Sequence, residues 1–235
     1  MSSRRQWRPQ FSPSEFRRGW VFFALYLVVF PVLMGQIQRM LSQRFEFFLQ
    51  APEFSLIYYF LLLCATVLLF WGFLRHSFDI LLDWLPENLF AFAAGLVGAG
   101  ALHFLAMRLP YPVENPNALL YPEQFAAAPQ ATVLILVVLM PLIEEVLFRG
   151  LLFGGLRRYS RPMAFAVSTL GYALFCVASF VFQPEGADLR YLLLAVQYLP
   201  MSLALAWCYD HGGSIWSAVA LHMAVNGASL FLAVG

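Results

Sequence analysis

The chain has 235 residues, 61% of them hydrophobic and only 11% charged, with a mean hydropathy of +0.72. That balance excludes a water-soluble monomer, in which roughly a quarter of the residues would be charged. A formal net charge of +1, with no basic stripe beyond the N-terminus, excludes a nucleic-acid binder as well.

Read from the start, Arg4, Arg5, Arg8, Arg17 and Arg18 precede an apolar run that opens at Trp20. The run is long and has no A-x-A-like cleavage site, so it reads as a retained first helix and not a removable leader. Runs of about 20 apolar residues, the length a bilayer demands, predict seven transmembrane helices near 20–37, 54–74, 89–107, 131–156, 162–182, 191–209 and 214–234. The stretch 77–85 sets Asp79 and Asp83 among apolar residues and reads as a short interfacial helix. Pro31, Pro141 and Pro200 fall inside predicted spans, where neighbouring groups can satisfy the freed carbonyls.

The loop 108–130 holds five prolines and no periodic pattern, and reads as an extramembrane connection or a lid. Cys64, Cys176 and Cys208 stand singly in apolar runs, which indicates inert thiols and neither a disulfide framework nor a cysteine zinc site. With the N-terminus in the cytoplasm, nine arginines lie inside (Arg4, Arg5, Arg8, Arg17, Arg18, Arg75, Arg157, Arg158, Arg161) and four outside (Arg39, Arg44, Arg108, Arg190). The positive-inside rule therefore predicts a cytoplasmic N-terminus and, for seven spans, an outer C-terminus, in a cell membrane of bacterial type. No repeat or linker divides the chain, so residues 1–235 read as one integral membrane domain: all-α, a polytopic membrane helix bundle of about seven spans plus a short interfacial helix.

Charge inside hydrocarbon costs about 2.5 to 3.5 kcal/mol per residue at a helix centre, so each instance calls for a partner or a function. The fourth predicted span, PLIEEVLFRGLLFGGLRR, contains three such residues, Glu144, Glu145 and Arg149. Glu145 and Arg149 are four apart on one helix face and predict an ion pair. Glu144 is turned about 100° away and has no partner on its own helix, which marks it as a candidate proton acceptor. The last span sets His222 and Asn226 four apart on one face at a similar depth, so the three can converge on a site. The preceding run Asp210 to Ser214 reads as a turn with a Ser N-cap, and His211 as interfacial.

These residues resemble the CPBP family, the CAAX-protease and bacteriocin-processing (Abi) group of intramembrane endopeptidases. Glu144, Glu145 and Arg149 match its EExxxR motif, His222 and Asn226 its HxxxN motif, and the GGSIW stretch ahead of the latter is also similar. The likeness runs from about Val133 to the C-terminus, which predicts a catalytic core at about 131–235. Between the two motifs the family carries FxxxH; counted from Phe175, this sequence has Ser179 where the histidine would stand.

The resemblance implies an endopeptidase cleaving a membrane-associated peptide or C-terminal segment by glutamate-activated water. In it Glu144 is the general base, His222 and Asn226 stabilise the oxyanion, and Glu145 and Arg149 give support. Ser179 would hold a water by hydrogen bonding, or His103 of the third span would fold in as a substitute. The favoured mechanism requires no cofactor. Family members are often described as metalloproteases, and the candidates here for a divalent metal such as zinc are Glu144 and His222. The expected partners are a membrane-anchored peptide or protein substrate and the lipid bilayer, with no nucleic acid. The alternative reading is a weak or inactive relative that acts as a membrane peptide-binding, immunity or scaffolding protein, and Ser179 is the residue that raises it.

Overall fold

The computed structural model describes residues 7, 9–44, 51–183 and 186–234; Arg4, Arg5 and Arg8, which enter the charge count above, lie outside them. Nine helices make up the described chain, α1 (Pro13–Ile37), α2 (Ala51–Leu69), α3 (Trp71–Asp83), α4 (Leu85–Ala106), α5 (Asn117–Ala127), α6 (Pro129–Arg157), α7 (Arg161–Val181), α8 (Leu189–Gly212) and α9 (Ile215–Val234). Six are long and apolar enough to cross a membrane, and α2 with α3 makes a seventh crossing if the bent pair counts as one. The polytopic all-α bundle expected from the sequence is what the chain forms. The described sheet is a two-residue pairing of Phe182–Gln183 with Gly186–Ala187 between α7 and α8.

The second predicted span, 54–74, is broken in the structure. It stops at Leu69, and α3 leaves at 80°. The reason lies in a distant residue, because Phe70 offers α3 no side-chain cap. Glu15 of α1 accepts the Phe73 backbone N–H at 3.0 Å, so an unpaired donor at the start of α3 is satisfied from another helix. A Cβ at Gly72 would stand 3.0 Å from that carboxylate, which suits glycine to the close approach. Along α3, Phe73, Leu74, Ser77 and Ile80 are buried while Arg75, His76, Asp79 and Asp83 are exposed, the pattern of a helix lying in the interface. The interfacial helix thus begins and ends earlier than the predicted 77–85.

Helix α6 occupies the centre of the bundle: 61% of its most apolar stretch is buried, against 17% for α1 at the rim. The interior prolines of α6 and α1 each follow a wide turn. A π turn at Leu134–Leu139 precedes Pro141, and another at Leu25–Val29 precedes Pro31, each relieving the clash of the ring with the preceding turn. The Met140 N–H bonds Ile135 five residues back, and the next in register, Pro141, has no N–H to give Leu136. The Leu136 carbonyl accepts instead from Asn226 Nδ2 of α9 at 2.9 Å.

Small residues let the helices close up. On α4, Asn88, Ala91, Gly95 and Ala99 are buried against α8 and α9. A Cβ at Gly95 would fall 2.7 Å from Leu221 Cδ2, with Cys208 and the Ala204 carbonyl close behind. Gly95→Ile is expected to lose about 1–3 kcal/mol of unfolding free energy in detergent, whereas Gly98→Ile, with nothing within 4 Å, leaves it nearly unchanged. Equal stability of the two variants would refute this packing.

The two ends of the bundle are tied differently. At one, Asp210 binds Arg157 at 2.6 Å and Arg161 at 2.7 Å, joining α6, α7 and α8, and Gln10 donates to the Gly213 carbonyl at 2.7 Å. At the other, the loop 108–130 contains a helix, α5, that its five prolines concealed. It packs Tyr121 and Phe125 against Leu136, Leu139 and Leu230, while Asn115 and Asn117 bond Tyr198 at 3.1 and 3.0 Å.

Candidate active site

The helical spacing of Glu145 and Arg149 gives the expected ion pair, 3.1 Å long and wholly buried. Arg149 also donates through Nη2 to the carbonyl and hydroxyl of Ser202 on α8, at 3.1 and 2.9 Å. The same Glu145 oxygen that takes Arg149 stands 2.8 Å from Nδ1 of His222. A carboxylate paired with arginine can only accept, so Nδ1 carries a proton, and in the singly protonated ring Nε2 presents a lone pair. Glu145 therefore does more than offset the arginine: it fixes the tautomer and aim of His222.

Glu144, one residue earlier, points to a different set of helices. Its Oε2 accepts from the Tyr172 hydroxyl of α7 at 2.8 Å, and Tyr26 of α1 stands 3.4 Å from its Oε1. His222 Nε2 lies 3.9 Å from the same carboxylate, beyond direct hydrogen bonding, and 3.3 Å from the Tyr172 oxygen. Glu144 is 3% exposed and His222 1%. Tyr59 and Tyr121 stand further off, within electrostatic reach of Glu144. Burial pushes the Tyr121 phenol of α5 well above its ordinary range, so it stays a neutral hydroxyl.

The fold thus brings together Glu144, Glu145, Arg149 and His222 from α6 and α9. Asn226 is half-buried and holds the free carbonyl of α6 described above. Ser179 does not join them. It is exposed and has no hydrogen bond to the cluster, two helical turns, about 10 Å, beyond Tyr172. His103 is also exposed, at the end of α4, as are His76 and His211; His211 stacks on Trp207. Ser179→His is accordingly expected to leave proteolytic activity as it is in the unaltered protein, measured on any membrane peptide that protein cleaves.

The residues that sequence reasoning missed are the two phenols. A signal for one of them was present: Ser168, Tyr172, Cys176 and Ser179 recur at intervals of four, four and three along α7, a polar stripe on one face of an apolar helix. The stripe turns toward α6 through Tyr172 and Ser168, whose hydroxyl bonds the Phe148 carbonyl at 3.0 Å.

A metal centre does not fit this donor set. Catalytic zinc takes three protein ligands and a water. Among the described residues no three His, Cys, Asp or Glu side chains gather as a metal site. One Glu145 oxygen is engaged by Arg149 and His222, which leaves Glu144, the second Glu145 oxygen and a single imidazole nitrogen, a set that the structure does not gather around one point.

Likeness to known proteins points the same way as this geometry. Residues 126–228 match the family described as type II CAAX prenyl endopeptidase Rce1-like. Over this segment, less than half of the chain, the sequence is similar to that family. The segment contains Glu144, Glu145, Arg149, Tyr172, His222 and Asn226, whereas Tyr26 comes from outside it. YdiL of Bacillus subtilis (strain 168), provisionally named a membrane peptidase, is 26% identical over 154 residues, which cover 65% of this chain and 56% of that protein. The chain therefore matches little more than half the length of this relative. No solved structure matches it. The resemblance drawn from the EExxxR and HxxxN motifs is borne out, and the Rce1-like segment opens a few residues before the predicted start of the core.

Proposed function

We propose that the protein is an intramembrane endopeptidase that cleaves a membrane-anchored peptide near its C-terminal end, using a water activated by Glu144. The observation that carries this reading is a buried carboxylate held by phenols from two other helices and facing an imidazole 3.9 Å away that Glu145 orients. A water between Glu144 and the scissile carbonyl would lose its proton to Glu144 as it attacks. His222, once protonated on Nε2, and Asn226 are the donors for the oxyanion, and Arg149 with Glu145 holds the imidazole in place. The substrate reaches the site from the bilayer, and its class follows the family: a lipid-modified or otherwise anchored C-terminal tail.

The experiment is cleavage in vesicles of two probes, a farnesylated fluorogenic peptide ending in a C-a-a-X box and a reporter with a single transmembrane anchor. Cleavage of either by the unaltered protein supports the reading, and silence toward both refutes it. A second reading, a peptide-binding relative without turnover, draws on one observation: His222 is the sole histidine of the cluster, the other three being exposed. It requires that the protein bind these probes without cutting them.

A further inference from the structure

Tyr172 has a place in the cluster that the general-base reading leaves unused. Glu144 Oε2 and His222 Nε2 are 3.9 Å apart, too far for a proton to pass directly, and the Tyr172 oxygen bridges them at 2.8 and 3.3 Å. The ring has little freedom to swing. Phe148 meets it edge-on at 5.1 Å, His222 stands perpendicular to it at 5.9 Å, and the Arg149 guanidinium lies 4.4 Å over its centre. That cation also favours negative charge on the phenol oxygen while its proton is in transit.

We propose that Tyr172 relays the proton taken up by Glu144 to His222, a role that rests on the endopeptidase reading above. As the water oxygen bonds the carbonyl carbon, the carbonyl electron pair moves to its oxygen and Glu144 takes one water proton. Once Glu144 is protonated, the Tyr172 hydroxyl turns its hydrogen from Oε2 toward His222 Nε2, accepts the Glu144 proton on its oxygen and gives its own to Nε2, while Nδ1–H stays hydrogen-bonded to Glu145. His222 is then an imidazolium facing the Glu145 carboxylate at 2.8 Å. Its new Nε2–H can donate to the oxyanion, which the neutral ring could not do. When the C–N bond breaks, that proton leaves with the amine nitrogen. Glu144 ends as carboxylate, Tyr172 with one proton and His222 neutral, so each group returns to its starting state. Tyr172 acts through its two neighbours and is a positioning and relay residue. The Tyr26 hydroxyl meets Glu144 on its other oxygen, at 3.4 Å, and has no such part.

The test uses the full-length protein in vesicles with whichever of the two probes it cleaves. Tyr172→Phe is expected to lower kcat about 100-fold with KM within about twofold. In mixtures of light and heavy water, kcat of the unaltered protein should curve with deuterium fraction because two protons move together, and the Tyr172→Phe plot should be straight. A purely structural phenol would not change that curvature. If Tyr172→Phe fails to fold, 3,5-difluorotyrosine at 172 keeps the shape and hydroxyl but makes the proton more acidic. A several-fold change in kcat at unchanged KM then supports the relay, and an unchanged kcat overturns it. Glu144→Gln separates the two levels. If that variant is inactive while Tyr172→Phe is fully active, the relay alone falls; if Glu144→Gln remains active, Glu144 as the activating base falls and the relay with it.

Discussion

Glu144→Gln is expected to reduce peptide cleavage by about 1,000-fold or more with almost no change in the temperature of unfolding. Glutamine matches glutamate in shape, and its amide oxygen can still accept from Tyr172, whose bond to the carboxylate is 2.8 Å. What it lacks is the basicity to take a proton from water, and general-base catalysis alone contributes about 10²–10⁴-fold. No ion pair is broken: the arginine of the cluster is held by Glu145, not by Glu144. Activity should therefore vanish from a protein that expresses, inserts and melts normally. The measurement is cleavage of the vesicle-borne probe beside a thermal unfolding curve in detergent. Loss of both together would make Glu144 a structural residue, and retention of cleavage would remove it from the chemistry.

Arg149→Met should do the opposite and act first on stability. The guanidinium is entirely buried and donates to Glu145, to the Ser202 carbonyl and to the Ser202 hydroxyl, tying α6 to α8. Removing it strands the Glu145 carboxylate in a low-dielectric interior, and breaking one half of a buried pair costs about 3–5 kcal/mol. Glu145 would keep the His222 Nδ1–H as a partner, which offsets only part of that charge. The double variant Glu145→Gln/Arg149→Met should recover some of the loss, because a neutral amide can still accept from His222 and no charge is left unpaired. It should not recover all of it, since the bonds to Ser202 are gone in both. Equal stability of the single and double variants, measured by denaturant titration in detergent micelles, would show that a stranded charge is not what makes the substitution costly.

Much of this site was legible before any coordinates. Glu145 and Arg149 announce themselves because helix geometry sets residues four apart on one face and hydrocarbon makes an unpaired charge expensive. The same cost singles out Glu144 and His222 as polar groups without a local partner. The phenols were harder to see, because a tyrosine in a membrane protein is ordinarily an interfacial anchor and its apolar ring does not interrupt a hydrophobic run. Tyr26 and Tyr172 come from opposite halves of the chain, yet both end on the carboxylate of Glu144. Ser179 illustrates the reverse error. Counting from Phe175 gave it a motif position, but Ser179 lies about two helical turns along α7 from Tyr172 and is exposed.

Low charge by itself determined that this chain lives in a membrane, how many times it can cross, and which residues in its spans cannot be idle. Those are properties of one residue or one helix against its solvent, so they are written locally. Only the tertiary structure decided that Glu15 ends the second span by capping α3, that Asn226 holds the carbonyl Pro141 cannot satisfy, and that Tyr172 stands between Glu144 and His222. Each of these is a hydrogen bond between helices far apart in sequence. Such a partner depends on how the helices rotate and pack, and no periodicity within a single helix encodes it.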